Sequence, residues 1–577
     1  MKLELQAGSR TRLLAVAILA IMAIFVVRLF YLQVIEHDKY VDMGNNEQLK
    51  RLVLPAERGE IYAMDGDTPV KLVLNETVYT VFADPKITTE DQKIVDTIRR
   101  VAGGNAQPNL DQLLKNKDSR YQILAKNVSQ QQASMIKTEN LSGVGFQARS
   151  HRVYPEGKLA SQTLGFVNND GLGQYGIEGA LDDRLRGKDG MLQSVTDVND
   201  VPLTIGNQNI DQPAVNGDAI VLTIDRNIQA YAEQALAAGL KRTGATNGSV
   251  MIMDPQSGKV LAMANLPTYD PNAYGKVQDA ADFRNATVSI PYEAGSVIKT
   301  FTVATGIDKG IITPSSTYYN TDRITVDDRI IGNATVGHTG NITIQDALTY
   351  SLNTGMVTVA ERLGDGTNIN QQARDTMYDY FHNRFGLGTL TGIEVAGEAG
   401  GAIIPPTVTE GNAVRYSNMA FGQGMDVTMV QVCAAFSAIV NGGIFHSPTV
   451  LAGTMGDDGT FTANPAGATR RAISSKSSAT VKTMLEVDRR ENGAQDRPGY
   501  HFGGKTGTSQ TIENGQYVSN QTIGTYIGFG GGEVPRYVIM VQVSGKNMNL
   551  GGAQHAGPIF TDISSWMLDY LKLAPKG

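Results

Sequence analysis

The chain has 577 residues, 41% of them hydrophobic, with 50 Lys and Arg against 57 Asp and Glu for a formal net charge of −7. That length exceeds the usual size of one domain, and a mildly acidic balance without a long basic run argues against nucleic-acid binding. A lone cysteine, Cys433, excludes an intrachain disulfide and a cysteine-rich metal site, and the seven histidines show no metal-ligand spacing.

The first predicted element is apolar. Residues 13–27 carry no polar side chain, Arg28 interrupts the run, and 29–35 is again largely apolar. At about 1.5 Å per residue the 13–35 segment reaches about 34 Å. That spans a hydrocarbon core of about 30 Å, with Arg28 snorkelling to one surface. Lys2, Arg10 and Arg12 precede it, which predicts a cytoplasmic tail over 1–12, a single-pass anchor, and everything beyond about residue 36 outside the cytoplasm. A cleaved signal peptide competes with this reading, but Ala15-Val16-Ala17 lies inside the apolar run, too near its start.

Residues 36–215 predict a mixed α/β domain. The stretch 51–62 reads as extended, and 88–101, 110–114 and 129–137 have helical spacing. This part holds no catalytic cluster, and Asp182-Asp183-Arg184 reads as a solvated helical face. The polar, turn-rich stretch 206–216 marks a boundary, so a second domain is expected over 216–577. Its elements are a strand at 219–225, an amphipathic helix at 228–241, and strands 249–254 and 259–264 joined by Pro255-Gln256-Ser257-Gly258. A buried helix follows at 430–440, around Cys433. Strands at 521–529 and 537–544 and a final helix at 559–573 close the chain. Ile563, Trp566, Met567 and Tyr570 form a packing stripe on that last helix. Strands near both ends with a helical middle predict an α+β domain. Its one antiparallel sheet would carry helices on both faces, Ser296 on a central helix and Lys505 on the adjacent strand.

Three short strings in this domain carry chemistry. In Ser296-Val297-Ile298-Lys299 the serine and lysine are i and i+3, so on a helix the amine reaches the hydroxyl. A serine needs a base to take its proton, and a lysine serves only if burial or a second cation lowers its pKa. Lys505 can be that cation. Ser351-Leu352-Asn353 offers a hydroxyl to relay a proton and an amide to hold a substrate carbonyl. In His501-Phe502-Gly503-Gly504-Lys505-Thr506-Gly507-Thr508 the alternation suggests a strand, and its glycines leave room for a peptide beside the backbone. Taken singly, the first two strings read more simply as a capped helix start and a polar turn. The ordered triple does not.

The triple resembles that of the penicillin-recognising serine acyltransferases, and its context is similar to the class B penicillin-binding proteins, monofunctional cell-wall D,D-transpeptidases. Arg58-Gly59-Glu60-Ile61-Tyr62, Arg152-Val153-Tyr154-Pro155, Gly176-Ile177-Glu178 and Leu185-Arg186-Gly187 resemble that family's segments before the catalytic domain. Tyr269-Asp270-Pro271-Asn272, Thr391-Gly392-Ile393, Gly422-Gln423-Gly424 and Asn441-Gly442-Gly443 resemble segments within it. Ala294 stands where the family usually has proline, and Met429-Val430 where proline-leucine is common.

The resemblance implies Ser296 as the acylated nucleophile, Lys299 as its base, and Ser351 and Asn353 for proton relay and substrate positioning. Lys505 would support the proton network. Thr506 and Thr508, with Gly507 between them, would grip the terminal carboxylate, and the backbone N–H groups of Ser296 and Thr508 would form the oxyanion hole. It implies no cofactor, peptidoglycan stem peptides as substrates, β-lactams as acylating inhibitors, and 36–215 as a dimerisation-like pedestal. It also implies a multi-pass glycan polymerase and other division or elongation proteins as partners. Tyr292-Glu293 and Tyr269-Asp270-Pro271-Asn272 lean toward a division role. Two other readings compete: a carboxypeptidase or β-lactamase that uses water as acceptor, and an idle membrane scaffold or penicillin sensor. The first lacks a Glu-x-x-Leu-Asn after Ser351 to activate water. The second fits poorly with intact residues at every motif position.

Overall fold

A computed structural model describes residues 7–40, 49–195, 210–494, 496–513 and 515–575. The first part of the 206–216 boundary, 206–209, and half of the 1–12 tail lie outside the described residues. The chain divides into two compact units, one of 1–58 with 186–217, the other of 59–185 with 218–577.

In the first unit, the helix Ala7–Phe30 continues as a short π-helical turn, Tyr31–Ile35. Its apolar side chains from Leu13 to Ile35 are exposed on every side. Arg10–Ile35, 26 residues, is long and apolar enough to cross a membrane. The same unit holds a three-stranded antiparallel sheet, Leu49–Leu54 against Gly190–Val195 against Ile210–Gln212.

In the second unit, a mixed sheet joins segments far apart in sequence. Ile61–Asp65 pairs with Thr68–Ala83 on one side and lies parallel to Ala219–Asp225 on the other, with Ile220 opposite Ile61. Leu451–Met455 extends that sheet beyond Ala219–Asp225. Thr68–Ala83 also pairs with Gln122–Ser129 and Val144–Val153. The helices Asp91–Ala102, Leu110–Lys115 and Gln130–Thr138 enclose a small core with these strands, built on Ile94, Ile98, Leu124 and Ile136. The last of these helices starts where the 129–137 reading put it, because Ser129 and Gln132 cap one another's backbone N–H groups.

The predicted antiparallel sheet is present. Its strand order is Val260–Leu266, Asn247–Met253, Pro535–Ser544, Gln516–Gly531, His501–Glu513, which leaves the lysine-bearing strand at an edge. Helices cover both faces, as expected. Arg226–Thr243 and Gly557–Tyr570 pack one side around Leu236, Ile559, Phe560 and Ile563. Asp225 caps the first of these by accepting from Asn227 and Ile228 N–H. The other face packs against the wholly buried Met429–Val440, which includes Cys433, and against Ser475–Glu491. One expectation changes: the strand 219–225 forms, but it belongs to the mixed sheet and not to the antiparallel one.

Candidate active site

Ser296 lies in a 3-10 turn, Gly295–Ile298, that leads into the helix Lys299–Asp308, so it precedes the central helix instead of sitting on it. The tighter turn eclipses i and i+3, which keeps serine and lysine on one side. Two glycines bring this turn onto the edge strand. Gly295 has φ +63°, and a Cβ there would meet Thr508 O at 2.8 Å. A Cβ on Gly507 would meet Ala294 O at 2.9 Å and the Val297 side chain at 3.1 Å. Segments about two hundred positions apart therefore touch backbone to backbone at the nucleophile.

Lys299 is 1% exposed, and its Nζ donates to Ser351 Oγ at 3.1 Å and to Ser351 O at 2.5 Å. Burial drives its pKa well below the ordinary lysine value, and the positive charge of Lys505 lowers it further. Asp488 pulls the other way. Lys505 is also 1% exposed; its Nζ donates to Thr506 Oγ1 at 3.3 Å and lies 3.7 Å from Asp488 Oδ2. Ser351 occupies a left-handed turn, φ +56°, between the helices Ile344–Thr349 and Asn353–Arg362. A non-glycine there carries strain that its surroundings must impose. Asn353 opens the second helix, and its Nδ2 donates to Gly332 O at 2.9 Å, on the hairpin Arg323–Val326/Arg329–Gly332. Ser296 and Thr506 are partly exposed and Thr508 is exposed, so they face what enters the cleft. Gly552 N–H donates to Thr508 Oγ1 at 3.3 Å.

Two residues of the site carry no motif. Asp488 lies on the helix Ser475–Glu491, is 2% exposed, and accepts from Asn492 Nδ2 on Oδ1, while Oδ2 has no hydrogen-bond donor. Burial pushes its carboxyl up to about 6, against the pull of Lys505. Glu293, 6% exposed, accepts from Gly424 N–H at 2.6 Å and from Tyr517 OH at 3.0 and 3.1 Å. An acid within Leu485-Glu486-Val487-Asp488-Arg489 looks like any polar helix residue, and only tertiary packing singles out Asp488. Glu293 had one available signal, its place three residues before the nucleophile.

Two family descriptions match the chain: "Penicillin binding protein transpeptidase domain" over residues 248–565 and "Penicillin-binding Protein dimerisation domain" over 53–222. Penicillin-binding protein PbpB of Mycobacterium tuberculosis is 30% identical over 96% of this chain and 83% of its own length. The protein named "Probable peptidoglycan D,D-transpeptidase PbpC" of Pseudomonas aeruginosa is 27% identical over 95% of this chain and 93% of its own. Among solved structures, penicillin-binding protein 3 of Mycobacterium tuberculosis complexed with aztreonam aligns with a TM-score of 0.66 at 25% identity, covering 91% of this chain and 98% of that one.

Proposed function

We propose a mechanism for a chain that belongs to the class B penicillin-binding proteins and is a serine-type D-alanyl-D-alanine transpeptidase of peptidoglycan. Ser296 Oγ attacks the carbonyl of the penultimate D-alanine, and neutral Lys299 takes its proton. The backbone N–H groups of Ser296 and Thr508 hold the oxyanion. As the C–N bond breaks, the proton passes from Lys299 through the Ser351 hydroxyl to the leaving D-alanine amine. The amine of a second stem peptide then attacks the Ser296 ester. Its surplus proton moves back through Ser351 and Lys299 to Ser296 Oγ, leaving a new amide cross-link and the free serine. Lys505, Thr506 and Thr508 bind the terminal carboxylate, Gly507 gives it room, and Asn353 orients the substrate carbonyl.

One observation carries this reading: a buried lysine with a depressed pKa donates to Ser351 Oγ at 3.1 Å, one 3-10 turn beyond Ser296. The test is mass spectrometry of the β-lactam-treated protein. An adduct on the Ser296 peptide that vanishes in Ser296→Ala supports it, and equal labelling of the variant sinks it. Steady rapid turnover of the antibiotic would favour a hydrolase instead.

The placement follows from the N-terminus. A spanning helix over 13–35 preceded by Lys2, Arg10 and Arg12 supports a single-pass anchor in the cytoplasmic membrane, with the pedestal 36–215 and catalytic domain 216–577 outside. Anchor and pedestal are the surfaces for a glycan polymerase and its co-assembled proteins. A septal role is the preferred one. Depletion tests it: filamentation supports division, whereas rounding of cells points to elongation.

A further inference from the structure

A polar cavity of about 340 Å³ shares no residue with the three motifs. Its walls are the turn of the hairpin Arg323–Val326/Arg329–Gly332, the last turn of the helix Asn353–Arg362, and the starts of the helices Gln371–Tyr378 and Ala413–Met419. The polar lining includes Thr325, Asp327, Glu361, Asn370, Arg374 and Asn412.

Two of these side chains are charged and incompletely bonded. Glu361 is half-buried and, among the described residues, accepts no hydrogen bond. Burial pushes its carboxyl up to about 7; the negative charge of Asp365 adds to the rise, and Arg362 opposes it. Arg362, the next residue, donates instead to Thr317 O at 2.7 Å. Arg374 is held in place, with Nη1 donating to Ile369 O at 2.8 Å and Nη2 to Gln371 Oε1 at 2.7 Å, yet its Nε is buried without a partner. A buried donor lacking an acceptor is costly, and an acceptor that reaches it recovers that cost. One wall therefore offers an anion that can only accept, and another offers a cation that can only donate. A ligand with a single charge would satisfy one and leave the other unpaired. A ligand with both an ammonium and a carboxylate satisfies the two together.

We propose that this cavity is a second binding site, for a free amino acid in its zwitterionic form. The ammonium lies against Glu361, with Asp327 on the same side of the charge balance, and the carboxylate accepts from Arg374 Nε. D-Alanine, which the transpeptidase reaction releases, is such a zwitterion. The place of the site in the fold adds a consequence. The helix that carries Glu361 starts at Asn353, and the hairpin that carries Asp327 ends at Gly332, whose carbonyl accepts from Asn353 Nδ2. An amino acid held between them joins two elements that meet again at the catalytic cleft.

The test therefore keeps the cleft occupied. Full-length protein in detergent is acylated with a β-lactam and then dialysed to equilibrium against isotope-labelled D-alanine. Acylated wild-type protein should bind about one equivalent, with a Kd of about 1 mM or tighter. Alaninamide, which lacks the carboxylate, and propionate, which lacks the ammonium, should each bind about tenfold more weakly or worse. Glu361→Gln should weaken D-alanine binding by about tenfold or more, and Arg374→Lys, which keeps the charge and removes Nε, by about threefold or more. No bound D-alanine at about 10 mM overturns the proposal. So does equal binding of the three ligands, or unchanged binding in Glu361→Gln. The ligand series is read on the unmodified sequence, so a variant that fails to fold leaves the proposal decidable. It also stands apart from the serine reading: a protein that no β-lactam labels would remove that reading, and Glu361→Gln would still locate the bound amino acid.

Discussion

Two of the places where the protein buries charge handle it differently. In the pedestal, Arg152 Nε donates to Glu178 Oε1 at 2.7 Å, and its Nη1 donates to Gly59 O and Asn75 Oδ1, both at 2.8 Å. Both side chains are buried, and the guanidinium is joined directly to the carboxylate by a charge-assisted hydrogen bond. In the catalytic cleft two buried lysines meet one buried carboxylate, Asp488, which lacks a donor on one oxygen. A directly hydrogen-bonded pair of this kind can stay ionised and act as a clasp. A two-to-one set favours one lysine giving up its proton, and Lys299, with the depressed pKa, is the one that does. The direct pair serves structure, and the shared carboxylate serves reactivity.

The sharpest way to break this contrast is Lys299→Met. Loss of the base should slow β-lactam acylation by about 10²–10⁴-fold. Replacing an ill-accommodated buried amine by an apolar side chain of similar length should leave the urea midpoint unchanged or higher. A variant that acylates at the normal rate removes Lys299 as base. The matching change in the pedestal, Glu178→Ala, strands a buried guanidinium and should cost about 3–5 kcal/mol, read as a lower denaturation midpoint. If Glu178→Ala is neutral in stability, the clasp is not one.

The sequence conveyed the parts that repeat locally and hid those that depend on distant pairing. The helix expected at 228–241 and the strand pair at 249–254 and 259–264 were legible from apolar spacing and from Pro255 to Gly258 as turn, and form as Arg226–Thr243, Asn247–Met253 and Val260–Leu266. The sixteen-residue strand Thr68–Ala83 was not, because Asn75 and Glu76 interrupt its alternation and it is held by partners on both sides. Nor could local pattern say that 219–225 pairs in parallel with 61–65, a register fixed only in the folded chain. At the site, the i, i+3 spacing of Ser296 and Lys299 and the glycines around Lys505 pointed to one pocket. Asp488 carries no such spacing, and its role follows from where the 475–491 helix packs.

Asp488 is therefore the residue that can sharpen the comparison. Its carboxylate raises the Lys299 pKa, so Asp488→Asn should let that pKa fall further. Acylation needs neutral Lys299 and rises with pH through its pKa, so the acid limb of the pH–rate profile should move to lower pH in the variant. An acid limb moved upward, or unmoved, contradicts the charge count. Stability should respond in the reverse sense. The folded-state pKa of Asp488, about 6, lies above its ordinary value near 4. The folded protein thus gains stability from the protonated carboxyl below about pH 4 and loses that contribution as pH rises through about 6. Denaturation midpoints should fall over that interval in the wild-type protein and fall less in Asp488→Asn.

The smallest expected effect tests whether the nucleophile loop depends on the hairpin beside it. Tyr517 OH donates to both oxygens of Glu293, but the tyrosine is itself partly exposed, so water can replace the bond. Tyr517→Phe should cost about 1 kcal/mol or less. The Glu293 carboxyl, deprived of one donor, should rise further above its usual range. β-Lactam acylation should drop by no more than about threefold, because Gly424 N–H still fixes the acid and Gly295 still rests on Thr508. A loss as large as that of Lys299→Met would mean that the hairpin, and not the glycine contact, sets the nucleophile, and charge balance would then be secondary to loop closure.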